Sequence, residues 1–169
     1  DRIKIRDKKL GIIGADMEKD TKIRIQYSAK YQGISNSWKK WQGEIKGLNR
    51  LDAVNKKLAF EADFKMWAEK NGTWDSTYKP VFEGFEKDYA MYQKYIRASD
   101  YYSEIVFRGV ELFRLAAQAN AIVDNIENKK TDRVESMRKS MAAGLKSFQK
   151  DFNQTTDEKL FETLLPMLA

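Results

Sequence analysis

The sequence holds no cysteine, no histidine and only two prolines in 169 residues, and each shortage excludes something. Without cysteine there is neither a disulfide framework nor a thiolate metal site, an absence compatible with cytoplasm and periplasm alike. Without histidine the commonest general base, the commonest metal ligand and the middle member of a Ser-His-Asp triad are missing, as are the Glu-x-x-His pairs of di-iron bundles. Neither catalytic residues nor metal ligands nor a cofactor are expected from this chain. No apolar run approaches the roughly 20 residues that span a bilayer. The opening Asp1-Arg2-Ile3-Lys4-Ile5-Arg6-Asp7 is no signal peptide, and the chain reads as excised from something longer. Phosphate-cradling strings of the G-x-x-x-x-G-K-[ST] or G-x-G-x-x-G type are also lacking, which disfavours nucleotide chemistry.

What is present describes a well-solvated domain with bulky core material. Four Trp, eight Tyr and nine Phe accompany a charged fraction of 33%, and the mean hydropathy is -0.68, which argues for a folded chain of one domain's size and against disorder. The net charge of +6 raises the question of a nucleic-acid partner. The basic pairs Lys8-Lys9, Lys39-Lys40, Lys56-Lys57 and Lys129-Lys130 are scattered and interleaved with acids such as Asp7, Glu44 and Glu61. They read as solvated helix faces, with no nucleic acid expected. Carboxylate pairs such as Glu83 with Glu86 or Asp16 with Asp20 can share a helix face. A glycosidase-type pair is allowed by residue type, yet nothing marks two acids as buried.

Period and punctuation predict helix nearly everywhere: an all-α fold, a compact bundle of about six to seven helices, with residues 1–169 as a single helical domain. Phe82, Phe85, Tyr89, Tyr92 and Ile96 recur in steps of three and four, which predicts one buried face, with Pro80 near the helix start. A second stripe runs Val134, Met137, Met141, Leu145, Phe148, Phe152, preceded by Asp132 and Glu135 as a capping box. Between them a helix is centred on Ile105, Val106, Leu112, Phe113 and Ala116, and Asn125 to Lys130 makes a polar break. Thr155 and Glu158 are expected to cap a last helix bearing Leu160, Phe161, Leu164 and Leu165. The first half reads as a long helix through Ile3 to Lys30, a turn at Gln32-Gly33, a helix with Trp38 and Trp41, a break near Gly47 and a helix to Trp67 that Asn71-Gly72 terminates. No convincing repeat of 20 to 50 residues is present, so a solenoid is the lesser alternative.

The densest local signal is Tyr27-Ser28-Ala29-Lys30-Tyr31-Gln32-Gly33-Ile34-Ser35-Asn36-Ser37-Trp38-Lys39-Lys40-Trp41. Ser35 departs from the G-x-S-x-G nucleophile pattern and follows no strand. On local grounds the segment is a helix start, with Ser35 or Asn36 as N-cap and the two tryptophans packing inward. In ordered residues, however, it resembles the helical domain of the bacterial serine dipeptidyl-peptidase 7 and 11 family. The family's string is approximately I-Q-Y-x-S/A-K-Y, then x-x-N-x-W-K and K-G-L. The chain keeps Ile25-Gln26-Tyr27, Lys30-Tyr31, Asn36, Trp38-Lys39 and Lys46-Gly47-Leu48. Agreement is strongest from about Ile23 to Trp67; the later helices fit in general character.

The resemblance implies a domain that covers the cleft of a chymotrypsin-like double barrel, the barrel carrying the His-Asp-Ser triad elsewhere in the same polypeptide. Family enzymes release dipeptides from free peptide N-termini, and an asparagine of the helical domain helps hold the terminal ammonium. That role carries over to Asn36, for binding and not for bond chemistry, whereas Trp38 and Lys39 read as packing and surface. It further implies a bacterial periplasmic or cell-envelope location, peptide N-termini as partners and no membrane span, and it leaves a homodimer open. The competing reading is a non-enzymatic helical interaction module with a basic surface.

Overall fold

A computed structural model of the chain describes residues 1–168, with the backbone alone at Thr131. Among the described residues all regular structure is helical: α1 (Arg2–Lys19), α2 (Thr21–Arg50), α3 (Ala53–Lys70), α4 (Lys79–Tyr102), α5 (Glu111–Glu127), α6 (Val134–Asp151) and α7 (Gln154–Leu164). Short π-helical turns cover Trp74–Tyr78 and Ser103–Phe107, and 3₁₀ turns cover Thr131–Arg133 and Leu165–Leu168. The all-α bundle expected from the period is what forms. Where the sequence reads as one domain, the contacts gather into two compact units, residues 1–38 with 100–169, and residues 39–99.

The first unit holds the core. Ile5 and Ile13 of α1, Tyr27 of α2, Ile105 of the π turn, and Leu160 and Leu164 of α7 form a fully buried cluster, each such aliphatic contributing roughly 1.5–3 kcal/mol over its exposed state. The face of α1 that carries Ile5 and Ile13 also buries Arg6, Lys9 and Asp16. Charge therefore enters the interior beside the apolar seam. In α7, Asn153 is the N-cap, its side chain accepting from the Thr156 amide at 3.0 Å, so the expected Thr155 cap lies inside the helix instead. The predicted stripe Val134 to Phe152 is half-buried throughout, with Phe148 and Phe152 stacked at 4.5 Å. Its capping box does not form: Arg133 occupies the N-cap, and Glu135 pairs along the helix with Lys139.

The long first helix breaks at Asp20, not at Gly33. Asp20 is extended (φ -139°, ψ 120°), and its carboxylate accepts from the Lys22 amide at 2.7 Å, which starts α2. From there α2 runs unbroken through Gly33 and Gly47 to Arg50. Its glycines keep helical backbone, and Ser28 and Ser37 satisfy their hydroxyls on the carbonyls of Arg24 and Gly33 one turn back. Glycine thus costs α2 about 1 kcal/mol per residue without ending it. The break falls at Leu51-Asp52, where Asp52 takes a left-handed conformation (φ 49°).

In the second unit Phe64 meets Tyr78 edge-on at 4.9 Å and stacks on Phe82 at 6.2 Å, while Trp74 lies 5.4 Å from Phe82. The Asn71-Gly72 termination of α3 forms as expected: Gly72 has φ 67°, and the Gly72 and Thr73 amides return to Glu69 and Ala68. The face predicted to be buried is corrected, because Phe85, Tyr89 and Tyr92 are 60%, 59% and 55% exposed. Their spacing sets one helical face, but the rings touch one another along it and stay more than half exposed. Ala68 is the unit's one buried apolar residue.

Candidate functional site

The first unit contains a cleft of about 600 Å³ whose walls come from α1, α2, the segment between the Ser103–Phe107 turn and α5, and the first turn of α5. Its floor is an ion pair. Arg6 of α1 donates to both oxygens of Glu104 at 2.9 Å, in the forked geometry that suits guanidinium to carboxylate. Both side chains are buried, and Arg108 Nη1 approaches the same Glu104 oxygen at 3.4 Å. Beside them Lys9 Nζ donates to the Arg108 carbonyl. Burial depresses the Lys9 pKa to about 8. Glu104 opposes the shift, and Arg6 adds to it.

The opposite wall is built by α2 and α5. Lys30 donates to both Glu111 oxygens at 2.7 and 2.8 Å and to the Asp151 carbonyl at 2.6 Å, and its ammonium stands 4.3 Å from the Tyr27 ring centroid. Tyr27 Oη lies beside Glu111 without closing a hydrogen bond of ordinary geometry. Burial, and then the Glu111 carboxylate, push this phenol far above its usual range, so it stays protonated. The first turn of α5 is capped from α7: the Asp157 carboxylate accepts from the Glu111 amide at 2.7 Å and from the Leu112 amide at 3.1 Å. Burial raises the Asp157 pKa, while these two amides hold it down. Further along the same buried face of α1, Asp16 accepts from Thr156 Oγ1 at 2.9 Å and Lys159 Nζ at 2.6 Å.

Asn36 lies in the interior of α2, so neither it nor Ser35 is an N-cap. It is solvent-exposed and sits one turn beyond Gly33, which lines the cleft, although Asn36 itself does not line it. Trp38 is half-buried and Lys39 exposed, in line with packing and surface roles. The groups that shape the cleft were not singled out in the sequence, because Arg6 and Glu104 are 98 residues apart and Lys30 and Glu111 are 81 apart. A charged residue inside an apolar stripe, as Arg6 and Lys9 are beside Ile5 and Leu10, is the only local sign.

In the cleft, cations are paired with carboxylates, Arg6 with Glu104 and Lys30 with Glu111. Among the described residues no acidic side chains converge as a metal site requires, and no helix is long and apolar enough to cross a membrane.

Comparison with known proteins covers the whole chain. The peptidase S46 family matches residues 1–169, well past the Ile23 to Trp67 segment. An Asp/Glu-specific dipeptidyl-peptidase of Flavobacterium psychrophilum is 36% identical over 172 residues, covering 99% of this chain and 23% of that protein. A dipeptidyl-peptidase 7 of Porphyromonas gingivalis is 40% identical over 124 residues, 73% of this chain and 17% of that protein. Another, from Porphyromonas endodontalis, is 32% identical over 168 residues, 99% and 19% respectively. The chain spans less than a quarter of the length of these curated relatives. Matched from end to end, this all-α chain belongs to the peptidase S46 family and corresponds to one region of proteins that are dipeptidyl-peptidases.

Proposed function

We propose that this chain is the helical, substrate-covering part of a serine-type dipeptidyl-peptidase, inactive alone, with turnover supplied by a chymotrypsin-like domain of the same polypeptide in a bacterial periplasm or cell envelope. The observation that carries the reading is the end-to-end match to peptidase S46 and to proteins named dipeptidyl-peptidases, in a chain without a histidine. A triad has to come from elsewhere.

Within that reading Asn36 holds the peptide's free amino terminus. Its exposed amide carbonyl, offered from the rigid interior of α2, accepts from an ammonium. Fixing the terminus at a wall leaves only the second peptide bond beside the nucleophile, which is specificity by positioning. The test is Asn36→Ala in the full-length enzyme, assayed on free-amine peptides. Loss of a hydrogen bond to a charged group, roughly 1.5–3 kcal/mol, lowers kcat/KM by about 10- to 100-fold. An unchanged kcat/KM would remove Asn36 from the site. Dipeptide release by the 169-residue chain on its own would overturn the covering-domain reading.

A further inference from the structure

We propose that the cleft of the first unit is a binding site for a small oxyanion, a carboxylate or a phosphate, held by Lys9 and Arg114. The argument starts from charge. Five cationic side chains line the cleft, Arg6, Lys9, Lys30, Arg108 and Arg114, against two acids, Glu104 and Glu111. Both acids are already engaged, Glu104 by the Arg6 fork with Arg108 beside it and Glu111 by both bonds from Lys30. Among the described residues, Lys9 and Arg114 are the cations lining the cleft without a carboxylate bonded to them.

Lys9 makes the surplus significant. It is only 5% exposed, and its ammonium, with three N–H donors, bonds one protein acceptor, the Arg108 carbonyl. An ammonium withdrawn from water with no carboxylate bonded to it is costly, Glu104 and Glu111 nearby offset that cost only in part, and an apolar side chain of the same length would fill the space at lower cost. A lysine there is explained by an anion that meets it from the cleft. Arg114, exposed on α5, faces the same space and offers the fork that matches carboxylate or phosphate. The α5 N-terminus takes no part, since Asp157 already caps it. At about 600 Å³ the cleft has the size of small-molecule sites. This inference is independent of the role of Asn36, because it concerns equilibrium binding and different residues.

Isothermal titration of the full-length polypeptide with sodium phosphate and, separately, sodium succinate tests it. Saturable binding of at least one is expected; phosphate alone or succinate alone identifies which oxyanion the site takes. Lys9→Met keeps the buried stem and removes the charge, and it weakens binding at least tenfold. Arg114→Gln, at an exposed position where folding is not at stake, weakens it several-fold. Lys139→Gln, on α6 and paired with Glu135, leaves it unchanged. Absence of saturable binding to either anion overturns the proposal, as does equal binding by wild type and Arg114→Gln, or an equal loss in Lys139→Gln.

Discussion

At the scale of single residues, the informative positions are those where a side chain is placed against its own solvation or a neighbour's volume. Lys9 titrates near 8 in the fold against 10.5 for a free lysine, because burial disfavours its charge; Arg6, Glu104, Arg108 and Glu111 face it. Between those values the unfolded chain holds more protons than the native one, so this group makes stability rise with pH across that window. Relative to Lys9→Met, wild-type stability is expected to climb by about 3 kcal/mol from pH 8 to 10.5, read from urea unfolding at several pH values. Gly109 illustrates volume. A Cβ there would sit 3.0 Å from the Glu104 carbonyl oxygen and 3.1 Å from Leu164 Cδ1, one fixed by backbone and the other by the core. Gly109→Ala should destabilise by about 1–3 kcal/mol, seen as a lower urea midpoint at unchanged m.

At the scale of elements, the helix ends explain which sequence signals succeed. Asn71-Gly72 was legible because a left-handed glycine ends a helix by its own backbone chemistry. The turn expected at Gly33 does not form because glycine permits a turn without requiring one, and α2 continues through it. The start of α5 was beyond local reading altogether: its amides are capped by Asp157, more than 40 residues away on α7. Asp157→Ala is expected to cost about 1–3 kcal/mol, since it strips a buried carboxylate from two backbone donors. Asn153→Ala, which removes an ordinary local cap, costs about 1 kcal/mol. Thermal melts of the two variants should rank them in that order.

At the scale of the whole molecule, apolar burial is uneven. The buried cluster lies in residues 1–38 and 100–169, whereas residues 39–99 bury Ala68 and leave Phe85, Tyr89, Tyr92 and Tyr95 more than half exposed. Local opening is cheapest where few apolar contacts must be broken. In the 169-residue chain, amides of α3 should therefore exchange with deuterium at least tenfold faster than those of α1 and α7, as read by mass spectrometry of peptides from each helix. Equal protection would show that the aromatic cluster around Phe64 and Phe82 suffices as a core.

By itself the sequence determined the helical class, because an apolar period near 3.6 is a property of neighbouring residues along one chain, and it determined the family resemblance, because ordered strings such as Ile25-Gln26-Tyr27 and Lys46-Gly47-Leu48 survive without coordinates. It also excluded a histidine-dependent site, since a residue type that is absent has no geometry to await. Only the tertiary structure decided that Phe85, Tyr89 and Tyr92 face solvent, that α2 is continuous beneath Asn36, and that Arg6, Lys9, Lys30 and Glu111 meet around one cleft. Those outcomes depend on which faces are brought together across some 80 to 100 residues of chain. No local spacing encodes that, because burial and charge pairing are properties of the packed assembly.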